Sequence, residues 1–313
     1  MRNPSLILFL CGTLLAGCSS TPQPDVTQLA PWTRELRDRQ PEEAFAAVYR
    51  WRGHSLVFVG ASHSTRSDSP TFKLIADVYA RKRFDTLIAE GFSYAAGPDA
   101  PRTLQWLQSQ TETDGFVMGG ESVPALRGAV QQHAHIWGGE PGDSVIRDRL
   151  LAEGISDVDL LGFYTLRSVP QWIREKRIAD GGDPRVKDLV ESELIRNRSR
   201  LGLKEALLPD YTAWAQWYER TNGQAFGSKF QLEEVGPLVD GDFSTNKLAA
   251  AVGRARDAFL LGTIADHLGE GENLLVVFGA SHLMILRPAL DRMLGAPCYV
   301  GGNMGTAPAS CFE

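Results

Sequence analysis

Continuous apolar runs separated by amphipathic stretches set the pattern of this chain. Leu56-Val57-Phe58-Val59 and Leu274-Leu275-Val276-Val277-Phe278 are too brief for helices, and each runs into a glycine, as strands buried on both faces do. Thr86-Leu87-Ile88-Ala89 is a third run of this kind and leads into Glu90-Gly91. Between the first and third, residues 70–83 repeat apolar positions at Phe72, Ile75, Ala76 and Tyr79, with Pro70 or Thr71 at the start, which predicts a helix. The opening is therefore β-α-β, which implies parallel strands and a right-handed crossover. Further helices are expected near 41–51, 122–135, 144–153, 245–267 and from about 286, with strands at 157–163 and near 298–300. Residues 170–222 read as helical and charged. Within them Tyr211, Trp214, Trp217 and Tyr218 form a stripe that suggests core packing, with a substrate-facing wall as the alternative.

These elements predict a single α/β domain over 31–313, a central mostly parallel or mixed sheet flanked by helices. A helical insertion is expected at about 170–242. Residues 18–30, rich in Ser, Thr, Pro and Gln, read as a flexible tether.

One phrase occurs twice. Gly60-Ala61-Ser62-His63 closes the first apolar run and Gly279-Ala280-Ser281-His282 the last. In open α/β sheets ligands collect beyond the carboxyl ends of the strands, so two histidines delivered alike suggest one shared site. Glu90 ends another strand in the same way. A buried carboxylate is costly unless paired or metal-bound. Two imidazoles and a carboxylate (His63, His282, Glu90) form a ligand set for a divalent metal ion such as Mn, Co, Zn or Fe, able to activate a water for hydrolysis. The structural alternative is that the histidines cap strands and Glu90 pairs with an arginine. Ser62 does not read as a nucleophile, because no Gly-x-Ser-x-Gly elbow surrounds it. His133 and His135 read as a surface helix end, with added ligands beside Glu140 as the alternative, and His54 and His267 read as structural.

The first residues change where the protein is expected. Arg2 and the apolar stretch 5–12 make a secretory signal over 1–17, too short for a membrane span. Leu15-Ala16-Gly17-Cys18 looks like a bacterial lipobox, which makes Cys18 the lipidation site, ordinary cleavage with a free Cys18 being the alternative. This predicts an envelope lipoprotein with the membrane as partner through its anchor. Ser19 after the cysteine favours the outer membrane, facing the periplasm. The formal net charge of −6 becomes one unit more negative once Arg2 is removed, and an acidic chain of this kind excludes non-specific nucleic-acid binding. With Cys11 in the leader and Cys18 lipidated, Cys298 and Cys311 remain, and an oxidising compartment predicts a disulfide between them.

In this order the motifs resemble the Tiki/TraB (GumN-like) and erythromycin-esterase/ChaN-like superfamily. The likeness rests on Gly-x-x-His after a first strand, Glu90 after a second, and Arg256-Asp257 ahead of a late Gly-x-x-His. Gly138-Gly139-Glu140-Pro141 is a further conforming element. The resemblance implies Glu140 as a ligand or general base. It leaves Arg256 either as a support for Glu90 and an oxyanion or as a helix salt bridge. It implies a metal-dependent hydrolase of peptide or ester bonds. The alternative is a haem- or iron-binding lipoprotein without catalysis, and a third reading is a scaffold that keeps only the fold. The chain departs from the esterase pattern at Ala61, where those members carry Glu, and at Tyr164, where they tend to carry Asp.

Overall fold

The computed structural model describes residues 21–313, so the signal and Cys18 expected from the sequence lie outside the described residues. In chain order the elements are α1 (Arg34–Asp38), β1 (Phe45–Trp51), β2 (His54–Ala61), α2 (Pro70–Arg81), β3 (Thr86–Ser93), α3 (Pro101–Ser109) and a hairpin of β4 (Glu112–Thr113) with β5 (Phe116–Val117). There follow α4 (Ser122–Gln132), β6 (His135–Glu140), α5 (Asp143–Ala152), α6 (Asp157–Leu166), α7 (Val169–Arg174), α8 (Val186–Leu201) and α9 (Tyr211–Asn222). The chain closes with α10 (Ser244–Gly269), β7 (Leu274–Gly279), α11 (Ala280–Leu294) and β8 (Tyr299–Gly301).

The fold is α/β, with a mixed six-stranded sheet in the order β6-β3-β7-β2-β1-β8. The four strands β6, β3, β7 and β2 run parallel, and β1 is antiparallel to both β2 and β8. Alternate residues of β2 serve opposite cores: Val57 and Val59 meet α2 and α4, whereas Leu56 and Phe58 meet α10 and α11. Because β7 lies between β2 and β3, the parallel strands present one common carboxyl edge.

A third core belongs to helices alone. It runs from Ile146 on α5 to Ala255 on α10 and encloses Trp214, Trp217 and Tyr218. The helical region therefore begins at α5, well before residue 170. The α9 stripe is core rather than wall: Trp214 Nε1 donates to the Gly162 carbonyl at 3.1 Å, and Trp217 Nε1 to Asp159 at 3.0 Å.

Two expected elements change type, and one strand appears where none was expected. Residues 157–163 form helix α6, because Ser156 caps it by accepting from Asp159 N at 3.1 Å and acids fill its first turn. Residues 160–166 are buried on all sides, so the apolar run carried no helical period. The expected helix near 41–51 is strand β1, which turns into β2 through Arg52-Gly53, both at positive φ (50° and 92°). Residues 135–140, not expected as a strand, form β6. Its glycines are required by close approach, since a Cβ at Gly138 would lie 2.2 Å from the Phe92 carbonyl oxygen.

Residues 21–32 were expected to be mostly tether, but they pack along α11. Thr21 lies against Gly269 at the C-terminal end of α10, Leu29 is buried, and Ala30 N donates to the Ile285 carbonyl at 2.9 Å. At the other end of the chain, Cys298 and Cys311 lie at disulfide distance, with Cα atoms 5.8 Å apart. They fasten the tail beside the β1–β8 edge, where Cys311, Met304 and Phe312 join the core. Among the described residues no helix is long and apolar enough to cross a membrane.

Candidate active site

The two Gly-Ala-Ser-His phrases lie side by side, with Ala61 of β2 opposite Gly279 of β7. Their local structures differ. The first ends its strand at Ala61 and places His63 in the following loop, whereas the second enters α11 directly and places His282 in its first turn. Glu90 projects from β3, Glu140 ends β6, and Arg256 and Asp257 sit midway along α10. The structure thus brings together all five residues singled out from the sequence: His63, Glu90, Glu140, Arg256 and His282.

Their contacts form a connected set of charges. Arg256 is forked onto Glu140 (2.5 and 2.7 Å) and reaches Glu90 at 3.2 Å. Glu90 also accepts from Gly279 N at 2.7 Å, at the N-terminus of α11, and faces His282 Nε2 at 3.5 Å. The other nitrogen of His282, Nδ1, is held by Asp257 at 2.5 Å. His63 is paired through Nδ1 with Glu121, which lies just before α4. Its side chain is 69% exposed, and its Nε2 faces Gly279, where a Cβ would lie 3.0 Å from that nitrogen and 3.5 Å from Glu90.

These pairings fix the charges. Burial opposes a proton on His282, but Asp257 and Glu90 outweigh it and push its pKa up to about 10. Burial likewise opposes charge on Glu90, yet His282, Arg256 and the Gly279 amide hold its carboxyl well below the usual carboxylate range. The hydrogen bond to Glu121 raises the pKa of His63 against a smaller effect of burial. His282 is therefore an imidazolium at neutral pH, whereas His63 keeps Nε2 without a hydrogen-bond partner among the described residues.

In the structure His63, Glu90 and His282 are each engaged by protein groups. Asp257 holds Nδ1 of His282, as a carboxylate commonly does behind a ligating imidazole, and Nε2 faces Glu90. The Arg256 guanidinium already occupies the cationic place beside Glu90. Both oxygens of Glu140 are engaged by Arg256. A different group could hold a metal ion: His267, Glu270 and Glu272 offer ligand atoms within 4.8 Å of one another, and His267 is buried. It lies where α10 ends, at the opposite edge of the sheet.

Sequence reasoning missed Glu121 and gave Asp257 no role. Asp257 directly follows Arg256 and could have been found as the partner a buried histidine requires; Glu121 carries no motif. Of the remaining histidines, His133 caps α4 in the left-handed conformation, His135 pairs with Asp99 at 2.7 Å, and His54 begins β2. Ser62 accepts from Thr71 through its carbonyl at 2.6 Å. Comparison with protein-family models, with curated proteins and with solved structures finds no match to this chain.

Proposed function

We propose that the protein is a hydrolase of ester or peptide bonds that works by acid–base catalysis at this site. The observation that carries the reading is His63. Glu121 fixes its Nδ1, and its Nε2 is directed towards Gly279 and Glu90, the carboxylate that Arg256 and His282 both face. An imidazole held in this way is a general base for water. Negative charge developing on a substrate oxygen beside it would face Arg256 and the His282 imidazolium. Glu140 and Asp257 are positioning residues that aim these cations. The superfamily resemblance supports hydrolysis, and the same geometry argues for a mechanism that does not pass through a metal at His63, Glu90 and His282.

The deciding experiment assays hydrolysis of small esters and peptides by wild type and His63→Ala, each before and after exhaustive chelation of divalent metal ions. Activity lost in His63→Ala but retained after chelation is expected. Activity unchanged in His63→Ala would sink the proposal, and activity abolished by chelation and restored by one metal would return the divalent-metal reading. The leader supports the further proposal of an envelope lipoprotein anchored at Cys18. Palmitate labelling of wild type but not of Cys18→Ala in a bacterial host is the expected result, and labelling of neither would refute it.

A further inference from the structure

Beside the reacting groups lies a cavity of about 210 Å³, closed by α10, α11, the α6–α7 junction and residues 29–32. Trp32, Phe163, Val239 and Ile285 give it apolar walls. Its charged lining is one-sided. Arg167, Arg254, Arg256 and His282 face it, against the single acid Asp257, which His282 already engages. In a chain whose formal charge is −6 this concave surface is cationic. Low-dielectric walls of that kind concentrate a field and draw in ligands of opposite sign.

Arg167 distinguishes this cavity from an ordinary ion-paired cleft. Arg256 is balanced by Glu90 and Glu140, but among the described residues the Arg167 guanidinium has neither an ion pair nor a hydrogen bond. It lies 4.0 Å from the centre of the Tyr164 ring, a stacked placement that fixes its direction. The hydroxyl of the same tyrosine is buried without a partner. Arg167 lines the cavity while remaining an exposed residue, and the atoms packed around it disfavour its charge more than Tyr164 restores. A fixed guanidinium with its donors open matches the fork of a carboxylate or phosphate.

We propose that this cavity is a substrate subsite for an oxyanion, a carboxylate or phosphate borne on a small apolar group, with Arg167 as its specificity-determining residue. The assignment to substrate rests on the hydrolase reading; the anion site itself does not. A substrate held this way carries its negative charge on the α6 side of the cavity and its scissile bond at the side lined by Arg256 and His282.

The test is isothermal titration of the described chain with benzoate, phenyl phosphate and neutral benzamide. Wild type is expected to bind at least one of the anions and not benzamide, and which anion binds tells carboxylate from phosphate. Arg167→Ala should weaken that anion about tenfold or more, with Arg167→Lys between them. Wild type that binds neither anion, or binds benzamide equally well, overturns the proposal even if Arg167→Ala fails to fold. Undiminished anion binding by folded Arg167→Ala overturns it too. A kinetic arm compares phenyl acetate with the monophenyl ester of succinate. Arg167→Ala should raise KM about tenfold for the anionic ester alone, with kcat unchanged. If neither ester is hydrolysed while Arg167-dependent anion binding persists, the hydrolase reading fails and the subsite stands. Hydrolysis that depends on His63 but not on substrate charge overturns the subsite and leaves the hydrolase reading standing.

Discussion

His63 and Gly279 face each other across neighbouring parallel strands so closely that a Cβ on residue 279 would stand 3.0 Å from Nε2 of the imidazole. The second glycine of the repeated phrase thus makes room for the first histidine. Gly279→Ala is expected to displace the His63 ring by a few tenths of an ångström and lower kcat/KM about tenfold, since small misplacements of a reacting group are costly. The ring is exposed and can swing aside, so stability should change by less than about 1 kcal/mol. Steady-state kinetics beside urea unfolding checks both halves; undiminished activity would show that Nε2 is not the reacting nitrogen.

The pairing of His63 with Glu121 fixes a direction for the pH profile. A base works deprotonated, and Glu121 raises this imidazole above its ordinary 6.5. Activity should therefore climb with pH through a midpoint above about 6.5. Glu121→Gln should move that midpoint down and lower the plateau about 100-fold, and His63→Ala should remove the limb altogether. An acid limb that stays in place in Glu121→Gln would contradict the pairing.

His282 couples stability to pH with the opposite outcome. Its folded pKa of about 10 exceeds the unfolded 6.5, so the folded state binds the extra proton between these values. The stabilisation is complete below about 6.5 and is lost as pH rises through about 10. Urea unfolding of wild type should show a decline on the order of a few kcal/mol across this window. His282→Gln should start lower, because Asp257 loses its partner, and decline less steeply. Parallel pH dependences in the two proteins would mean that the imidazolium is not held as described.

Cys298 and Cys311 lie near β1 and β8, away from the β2–β7–β3 edge that carries the reacting groups. Cys298→Ser with Cys311→Ser is expected to cost about 2–4 kcal/mol by releasing the closed loop, and to leave kcat/KM within about twofold. Thermal unfolding with and without reductant checks the first figure, and ester hydrolysis checks the second.

Much of this arrangement was legible because it is written in short local signals. Parallel buried strands produce unbroken apolar runs, and a histidine or glutamate immediately after such a run must lie at the sheet's carboxyl edge, which is how His63, Glu90 and His282 were found. What was hidden depends on partners distant in sequence. Glu121 stands 58 residues from His63, and nothing in its own neighbourhood marks it. The surroundings of the two-histidine, one-glutamate set were hidden for the same reason: Asp257 and Arg256, which supply charge to it, come from a helix far along the chain. Strand β6 escaped because glycines weaken a strand signal, although Gly139 is needed beneath the Phe278 ring, 2.3 Å from where its Cβ would stand. Helix α6 escaped because a helix buried all round has no polar face to set a period.

The route of residues 21–32 gives the molecule a top and a bottom. Thr21 starts at the pole where α10 ends and the parallel strands begin, and Trp32 reaches the cavity at the pole where those strands finish. From Arg256 to Gly269 the helix rises about 20 Å, which measures the separation of the two poles. The chain therefore enters at the pole away from the cavity, and the segment that crosses from one pole to the other is itself one of the cheeks of that mouth.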